Sequence, residues 1–211
     1  MDLTLYGYWR SSASWRVRIA LALKNIEFNY IPVNLLQGGN TSAEYLQKNP
    51  LGQVPTFVDG SFSLTQSFAI IHYIESKYPD GPLIPANIEQ MARMWEIAEI
   101  VNSGIQPLQN LPILDLAEKS GISKKEWAQT VINEGFVAIE QILRNTAGNY
   151  CVGDQITVAD ICLVPQIYNA KRFEVDMSAF PIISRIGDAL NLLPAFVKAH
   201  PDSQSDAVIG K

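Results

Sequence analysis

The sequence predicts an α/β domain followed by an all-helical domain. Residues 1–78 alternate between short strands and helices, residues 79–85 form a proline-rich stretch, and the remainder of the chain has helical periodicity. We therefore place one domain at residues 1–80 and a second at residues 86–211, with the proline-rich stretch as the linker between them.

The N-terminal elements are predicted in the order βαβαββα. The predicted strands lie at residues 3–7, 28–32, 54–58 and 61–64, the helices at residues 12–24, 43–48 and 66–78, and a loop at residues 35–41. Asp59-Gly60 separates two short apolar strands, which is a strong hairpin signal because primed turns need positive φ at their central residues. This order is that of the thioredoxin-like architecture, with two parallel crossovers and then an antiparallel pair in one mixed sheet.

The C-terminal half is predicted to contain only helices. They lie at residues 88–111, 124–145, 157–173 and 181–193, and a short terminal turn is predicted near residues 194–199. The third begins with Thr157-Val158-Ala159-Asp160, a capping box, so Asp160 is assigned a structural role, with an active-site acid as the minority alternative. The polar residues 202–211 are predicted to be loosely held.

Composition indicates an ordinary globular protein. Of 211 residues, 47% are hydrophobic and 18% charged, and 16 Lys+Arg against 21 Asp+Glu give a net charge of −5. This balance argues against nucleic-acid binding, although a few arginines can still create a local positive pocket. No apolar run is long enough to span a bilayer, and the N-terminus lacks the regions of a signal peptide.

Two cysteines lie in apolar surroundings. Cys151 and Cys162 are predicted to be reduced core thiols, as is typical of a cytoplasmic protein. Neither has metal-ligand spacing to His72 or His200, so no metal is expected.

The most informative segment is the polar elbow between the first strand and the first helix. The first turn of a helix has unpaired N–H groups and a partial positive charge, so Ser11 and Ser12 stand at a potential anion site. Their hydroxyls could donate to an anion such as a thiolate, or they could only cap the helix, as most such serine pairs do. Arg10 precedes the pair and Arg16 shares a helical face with Ser12, which favours the anion site because a cap needs neither arginine.

Two further features of the N-terminal domain suggest ligand binding. Val54-Pro55 interrupts a predicted strand, and a cis peptide bond there would free the Val54 backbone to pair with an extended peptide. An edge-strand proline with no ligand is the alternative. Gln66-Ser67 begins the third helix and could bind a carboxylate, or again serve only as a cap. A small peptide with a central thiol and a carboxylate at one end would use all three features, and glutathione is such a molecule.

Over essentially its whole length the chain resembles the zeta-class glutathione transferases. The motifs that carry the resemblance are S-S-x-S-W-R-V-R-I-A-L-A-L at residues 11–23, N-P-x-x-Q-V-P-T at 49–56, Q-S-x-A-I-I at 66–71, G-I-Q-P-L-Q-N-L at 104–111, Y-C-V-G-D at 150–154, A-D-I-C-L-V-P-Q at 159–166 and N-A-x-R-F-x-V-D at 169–176. One departure is Ala13, which stands where members of the family commonly have a cysteine, so this chain cannot use a protein thiol there.

The resemblance implies the glutathione transferase fold, glutathione as the cofactor and a homodimer. It implies that Ser11 or Ser12 stabilises the glutathione thiolate, and that Arg16 supports the elbow. It also implies that Gln106 and Asn110 reach the pocket from the helical domain. The full set of candidate glutathione-binding residues is Ser11, Ser12, Arg16, Asn40, Val54, Pro55, Gln66, Ser67, Gln106 and Asn110.

The activity implied is the cis–trans isomerisation of maleylacetoacetate to fumarylacetoacetate in tyrosine and phenylalanine catabolism, together with glutathione transferase activity. The substrate is a dicarboxylate, and thiolate addition develops further negative charge, so the site needs cations. Arg10 and Arg172 are the candidates, and Arg172 is expected to be at least partly buried. The open alternatives are maleylpyruvate isomerisation, α-haloacid processing and a non-catalytic interaction module.

Overall fold

The computed structural model describes residues 3–208. Residues 1–2 and 209–211, which belong to the two predicted domains, lie outside the described part. The described residues form two compact units, one made of residues 3–81 and 193–208 and the other of Pro82–Leu192. The change of unit at Gly81 falls within the predicted linker. The predicted second domain differs from this division, because residues from Leu193 onward pack with the strand-containing unit.

The elements in chain order are β1 (Leu3–Gly7), α1 (Ser12–Leu23), β2 (Asn29–Pro32), α2 (Ala43–Lys48), β3 (Thr56–Asp59), β4 (Phe62–Thr65), α3 (Ser67–Lys77), α4 (Ile88–Glu99), α5 (Leu111–Lys119), α6 (Lys124–Thr146), α7 (Val158–Arg172), α8 (Pro181–Asn191) and α9 (Pro194–Ala199). The predicted βαβαββα order is therefore confirmed. The predicted loop at residues 35–41 contains two short 3₁₀ turns, Leu35–Gln37 and Gly39–Thr41.

The first unit contains a mixed sheet in the order β2-β1-β3-β4. β1 is parallel to β2 and antiparallel to β3, which in turn is antiparallel to β4. The expectation of two parallel crossovers is therefore wrong for the second one. The connection from β2 to β3 passes to the other side of β1, where β3 pairs with β1 in the antiparallel direction.

The core of the first unit lies against β1, with α1 and α3 contributing apolar side chains. Buried and half-buried residues alternate along β1, which places Leu3 and Leu5 on the buried face. The buried cluster comprises Leu3, Leu5, Val17, Leu21, Ile26, Phe57, Ile70 and Ile74. This packing fixes α1 and α3, whose first turns carry the predicted anion sites.

The second unit is built around α7. Every residue from Val158 to Ile167 is buried, and α7 packs against α4 and α8. A helix that is apolar on nearly all sides lies at the centre of its unit, and the elements around it here are helices. No helix among residues 3–208 has the length and hydropathy required to cross a membrane.

The single helix predicted at residues 88–111 is wrong. α4 ends at Glu99, a π-helical turn covers Ile100–Ile105, a 3₁₀ turn covers Gln106–Gln109, and α5 then begins. Pro107 cannot donate the hydrogen bond that a continuous α-helix needs at its position. The apolar spacing continues through this break, so it could not reveal it.

α6 approaches the π-helical turn closely. A Cβ atom at Gly135 would overlap with the Ile105 side chain, which would then have to move. Glycine therefore allows the two segments to pack in this arrangement.

The C-terminal residues are held in place rather than loose. Residues Pro201–Ser203 form a 3₁₀ turn, and Asp206 accepts a hydrogen bond from the Trp9 N–H at 3.0 Å. The prediction of a loose terminus is therefore wrong for residues 202–208, because a charged side chain near the end has a fixed partner. Residues 209–211 lie outside the described part.

Candidate active site

The serine elbow, defined here as residues 8–12, joins β1 to α1. Ser11 is the N-cap of α1, and its Oγ accepts a hydrogen bond from the Ser14 N–H at 3.2 Å. Ser11 is half-buried and Ser12 is buried. A hydroxyl that accepts one hydrogen bond still has its own proton to donate. Capping the helix and donating to an anion are therefore compatible roles for Ser11, rather than exclusive alternatives.

Arg16 connects the two predicted anion sites of the first unit. Its side chain is 1% exposed, and its Nη1 donates to Ser67 Oγ at 3.3 Å. The guanidinium carbon also lies 5.9 Å from the centre of the Phe68 ring. Arg16 thus links α1 to the first residue of α3. A direct contact between Arg16 and glutathione stays a prediction.

The start of α3 has an unusual backbone conformation. Gln66 is the N-cap residue with a φ of 70°, and its side chain makes no capping hydrogen bond. Non-glycine residues in this region are uncommon, and they concentrate at ligand sites where the surrounding structure enforces them. The Gln66 side chain is exposed, whereas Ser67 is buried and accepts its hydrogen bond from Arg16.

Val54 and Pro55 form what we call the docking edge. The peptide bond between them is cis, as the sequence predicted. β3 begins only at Thr56, so the docking edge lies outside the strand pairing. Within residues 3–208 the backbone N–H and C=O of Val54 have no hydrogen-bond partner. These groups are in the state that pairing with an extended peptide requires.

The loop that leads into the docking edge is held by side chains from three positions. Tyr45 Oη and Asn49 Nδ2 both donate to the carbonyl of Gln53, at 2.6 and 2.7 Å. Asn40 Nδ2 donates to the carbonyl of Gly52 at 2.7 Å. The amide nitrogen of Asn40 therefore supports this loop, and a contact between Asn40 and glutathione stays a prediction.

The candidate residues of the second unit include an amide pair. Gln106 Nε2 donates to Asn110 Oδ1 at 2.6 Å, so the structure brings these two side chains together. Next to them, the buried Gln109 donates to Oε1 of the buried Gln166 at 2.8 Å. This second pair ties the 3₁₀ turn to α7 and thereby fixes the position of Gln106.

Both candidate arginines stack on neighbouring aromatic rings. The guanidinium carbon of Arg10 lies 5.3 Å from the Trp9 ring centre, and that of Arg172 lies 4.6 Å from the Phe173 ring centre. At these distances the rings attract the guanidinium charge through cation–π interactions, which help to hold both side chains near the rings. Arg172 is exposed, so the expectation that it is partly buried is wrong. It occupies the last turn of α7, where the helix leaves the core.

Asp160 has the structural role that the sequence predicted. The capping box with Thr157 is formed, and Asp160 Oδ2 accepts from the Thr157 N–H at 2.8 Å. Its Oδ1 accepts from the Cys151 N–H at 2.9 Å. Burial raises the pKa of Asp160, although these hydrogen bonds to its charged form oppose the shift.

Both cysteines are buried free thiols, as predicted. Burial raises the pKa of the Cys151 thiol well above its ordinary value, and the nearby Asp160 adds to that shift. Across residues 3–208 no group of three or more His, Cys, Asp or Glu side chains is arranged to hold a metal ion.

Comparison with known proteins decides the family. Residues 1–76 match the model of the glutathione S-transferase N-terminal domain, and residues 111–198 match that of the C-terminal domain. The chain is 49% identical over 205 residues to the probable maleylacetoacetate isomerase 2 of Drosophila melanogaster, which covers 96% of this chain and 89% of that protein. It is 48% identical over 208 residues to a zeta-class glutathione S-transferase of Euphorbia esula, with 97% and 92% covered. The chain belongs to the zeta class of glutathione transferases.

Solved structures agree with this membership. A bacterial zeta-class maleylpyruvate isomerase superposes with a TM-score of 0.94 at 37% identity, covering 97% of this chain and 100% of that one. The maleylacetoacetate isomerase of Anaeromyxobacter dehalogenans with bound GSH gives 0.90 at 42% identity, with 98% of each chain covered. Another structure of that protein, with a TM-score of 0.89 at 42% identity over 99% of this chain and 94% of that one, contains dicarboxyethyl glutathione and citrate. The predicted glutathione transferase fold is confirmed.

Sequence reasoning missed one buried cation in this zeta-class transferase. Arg18 is 1% exposed, and its Nη2 donates to the carbonyl of Trp9 at 2.8 Å. A signal was available, because Arg16 and Arg18 are two positions apart in an otherwise apolar helix and cannot share a helical face. Two faces of the helix therefore had to accommodate a charge.

Proposed function

We propose that this chain catalyses the glutathione-dependent cis–trans isomerisation of maleylacetoacetate to fumarylacetoacetate. The observation that carries the proposal is the 49% identity, over 96% of the chain, to a relative named as a probable isomerase of this substrate. The geometry of the first unit supports it, because a capped helix start and an unpaired backbone edge occur in the same compact unit.

The donor set of the first unit fits glutathione. The Ser11 and Ser12 hydroxyls at the start of α1 are the proposed donors to the sulfur, since a helix N-terminus with hydroxyl donors lowers the pKa of a thiol. The Val54 backbone is proposed to pair with the cysteinyl residue. Gln66 and Ser67 are proposed to hold the γ-glutamyl carboxylate, for which the Ser67 hydroxyl has a proton to donate because its oxygen accepts from Arg16.

Bound glutathione supplies a thiolate for reversible addition to the cis double bond, which allows rotation about that bond. The residues of the chain position and stabilise charge. Arg10 is proposed to stabilise the negative charge that develops on the substrate, and Arg172 to bind a substrate carboxylate. Gln106 and Asn110 are proposed as further polar contacts. Ala13 offers no nucleophile, so the proposed chemistry relies on the sulfur of glutathione and on no protein thiol at this position.

Maleylpyruvate is the second candidate substrate. It is favoured by the TM-score of 0.94 with a solved maleylpyruvate isomerase. Both substrates are small maleyl acids, so the same thiolate chemistry would serve either. A non-catalytic interaction module is disfavoured, because the candidate ligand residues of the first unit are present and have the local geometry described above.

The proposal is tested by assaying the purified chain with maleylacetoacetate and with maleylpyruvate, each with and without glutathione. We expect activity only with glutathione, and a higher kcat/KM for maleylacetoacetate. A higher kcat/KM for maleylpyruvate would reassign the substrate. Retention on immobilised glutathione without turnover of either acid would favour the interaction module.

The cellular setting belongs to the same proposal. We propose a cytoplasmic homodimer that acts in tyrosine and phenylalanine catabolism, as the resemblance to the zeta class implies. Light scattering of the purified protein should give twice the chain mass of 23.4 kDa. A monomer mass at micromolar concentration would contradict the dimer.

A further inference from the structure

Two oppositely charged side chains hold the backbone of Trp9 in the serine elbow. The Trp9 N–H donates to Asp206 Oδ2 at 3.0 Å, and Arg18 Nη2 donates to the Trp9 carbonyl at 2.8 Å. Trp9 therefore has both of its backbone polar groups bound by charged side chains. We call this arrangement the Trp9 clamp.

The clamp anchors the elbow to the C-terminal segment of the chain. Arg18 is 1% exposed, and its Nε also donates to the carbonyl of Ala199 at 3.1 Å. Tyr30 Oη faces the same carboxylate and lies 3.4 Å from Asp206 Oδ2. Burial lowers the pKa of Arg18 to about 10, so the guanidinium stays charged at neutral pH. The clamp is thus a connection within the first unit in which a charged side chain binds each backbone polar group of Trp9.

The clamp lies directly beside the residues that matter for chemistry. Arg10 and Ser11 follow Trp9, and the Ser11 N–H donates to the carbonyl of Tyr8 at 3.0 Å. Arg18 Nη1 contacts that same carbonyl at 3.5 Å. A shift of the Trp9 backbone would therefore move the Ser11 hydroxyl. In a catalytic site, a displacement of about 1 Å can lower the rate roughly 100-fold.

We propose that Asp206 is a positioning residue for the serine elbow, acting through the Trp9 backbone together with Arg18. A residue near the end of the chain, outside every motif of the active site, thereby sets where the Ser11 hydroxyl stands. The inference rests on the proposed function for its catalytic consequence, whereas the clamp itself can be tested without any ligand.

The experiment compares Asp206→Ala and Asp206→Asn with Asp202→Ala as the matched control. Asp202 is exposed on the same segment and lies 3.7 Å from His200 rather than at the elbow. The first readout is hydrogen exchange of the Trp9 amide in the protein without glutathione. Asp206→Ala should speed this exchange about tenfold or more, the factor expected when a hydrogen bond to a charged group is lost. Asp206→Asn should show a smaller effect because its amide oxygen can still accept, and Asp202→Ala should show none.

The second readout is the pKa of the glutathione thiol in the complex, titrated by thiolate absorbance. Asp206→Ala should raise this pKa relative to wild type, with a smaller rise for Asp206→Asn. Denaturant unfolding of each variant reports stability alongside. A loss of stability with an unchanged thiol pKa would overturn the proposal, because the clamp would then be only an anchor for the chain end.

The two proposals can fail separately. If the wild-type protein does not lower the thiol pKa, the proposed function fails, and the exchange measurement still decides whether the clamp exists. If the wild type lowers it and Asp206→Ala changes neither readout, the positioning role is overturned alone. If Asp206→Ala does not fold, Asp206→Asn keeps the side-chain volume and carries both measurements.

Discussion

At the scale of single residues, the hydroxyl of Ser11 has two uses that do not compete. Its oxygen accepts from the Ser14 N–H and caps α1, while its proton can be donated to a sulfur. Ser12 is buried beside it, in the first turn of the same helix. A helix start therefore serves both stability and the proposed chemistry.

Replacing either serine tests the hypothesis that these hydroxyls donate to the sulfur of glutathione. Ser11→Ala and Ser12→Ala should each raise the pKa of the thiol of bound glutathione toward about 8.5, the ordinary value of a free thiol. The larger effect is expected at Ser11. Thiolate absorbance titrated in the complex gives the value. If both variants titrate like wild type, the elbow is only a helix cap.

Arg172→Ala should separate substrate binding from glutathione binding. We expect kcat/KM for a maleyl substrate to fall at least about tenfold, because a charge-assisted hydrogen bond to a carboxylate is lost. Glutathione affinity and the conjugation of an uncharged electrophile should barely change. Equal losses on charged and neutral substrates would instead show that Arg172 is structural, through its stacking on Phe173.

The two cysteines should be inert in the folded protein. Cys151 and Cys162 are both buried, and burial raises the Cys151 pKa, so neither should present a reactive thiolate. A thiol reagent should label neither cysteine in the native state. After unfolding it should label both. Rapid labelling of the native protein would contradict the burial.

Residues governed by local rules were predictable from the sequence, and residues governed by packing were not. The capping box at Asp160 follows from a short motif with a local cause, and the cis bond at Val54-Pro55 was one of two interpretations that the local motif left open. Arg18 and Arg172 depend on what surrounds them. The first is buried by the C-terminal segment, and the second lies where α7 leaves the core, so neither environment could be read from neighbouring residues.

At the scale of elements, the start of α7 depends on Asp160. Its carboxylate accepts from the N–H groups of Cys151 and Thr157, which would be left buried and unpaired in Asp160→Ala. Each unsatisfied buried donor costs about 1–3 kcal/mol, so we expect the loss of two partners to destabilise the protein by about 2–6 kcal/mol. Denaturant unfolding measures it, and a loss below about 1 kcal/mol, the scale of one helix cap, would contradict the structural role.

Asp160 should also make the unfolding free energy depend on pH. Burial raises the pKa of Asp160 above its ordinary 3.8, so between the two values the folded state binds more protons than the unfolded state. The contribution of Asp160 to the unfolding free energy should therefore fall as pH rises through this window. Asp160→Asn, which does not titrate, is the matched control. If the unfolding free energy of the wild type increases relative to that of Asp160→Asn as pH rises through this window, the raised pKa is contradicted.

The type of each element was predictable where the local sequence pattern was strong. The prediction failed where the patterns of two neighbouring elements ran together. α4 and α5 were joined in one predicted helix because apolar spacing runs through the π-helical and 3₁₀ turns between them. The direction of β3 was also missed, since alternating strands and helices do not specify whether neighbouring strands run parallel. The π-helical turn packs against α6 where Ile105 meets Gly135, and this contact between distant parts of the sequence leaves no local signal.

At the scale of the whole molecule, the C-terminal segment packs in the same compact unit as the N-terminal strands. The residues from Leu193 onward belong to the same compact unit as β1 and α1, and Asp206 reaches the backbone of the serine elbow. Sequence reasoning placed this segment with the other helices, because composition carries no information about which unit a terminal helix joins. The glutathione transferase fold itself was recognised from motifs spread over both units.

In the proposed isomerisation, glutathione acts as a cofactor that is regenerated in every turnover. The most direct test is proton NMR of the purified protein with maleylacetoacetate in large excess over glutathione. We expect the signal of the cis substrate to be replaced by that of the trans product over many turnovers per glutathione, while the concentration of free thiol stays constant. Consumption of one glutathione per substrate, or isomerisation at the same rate without glutathione, would contradict it.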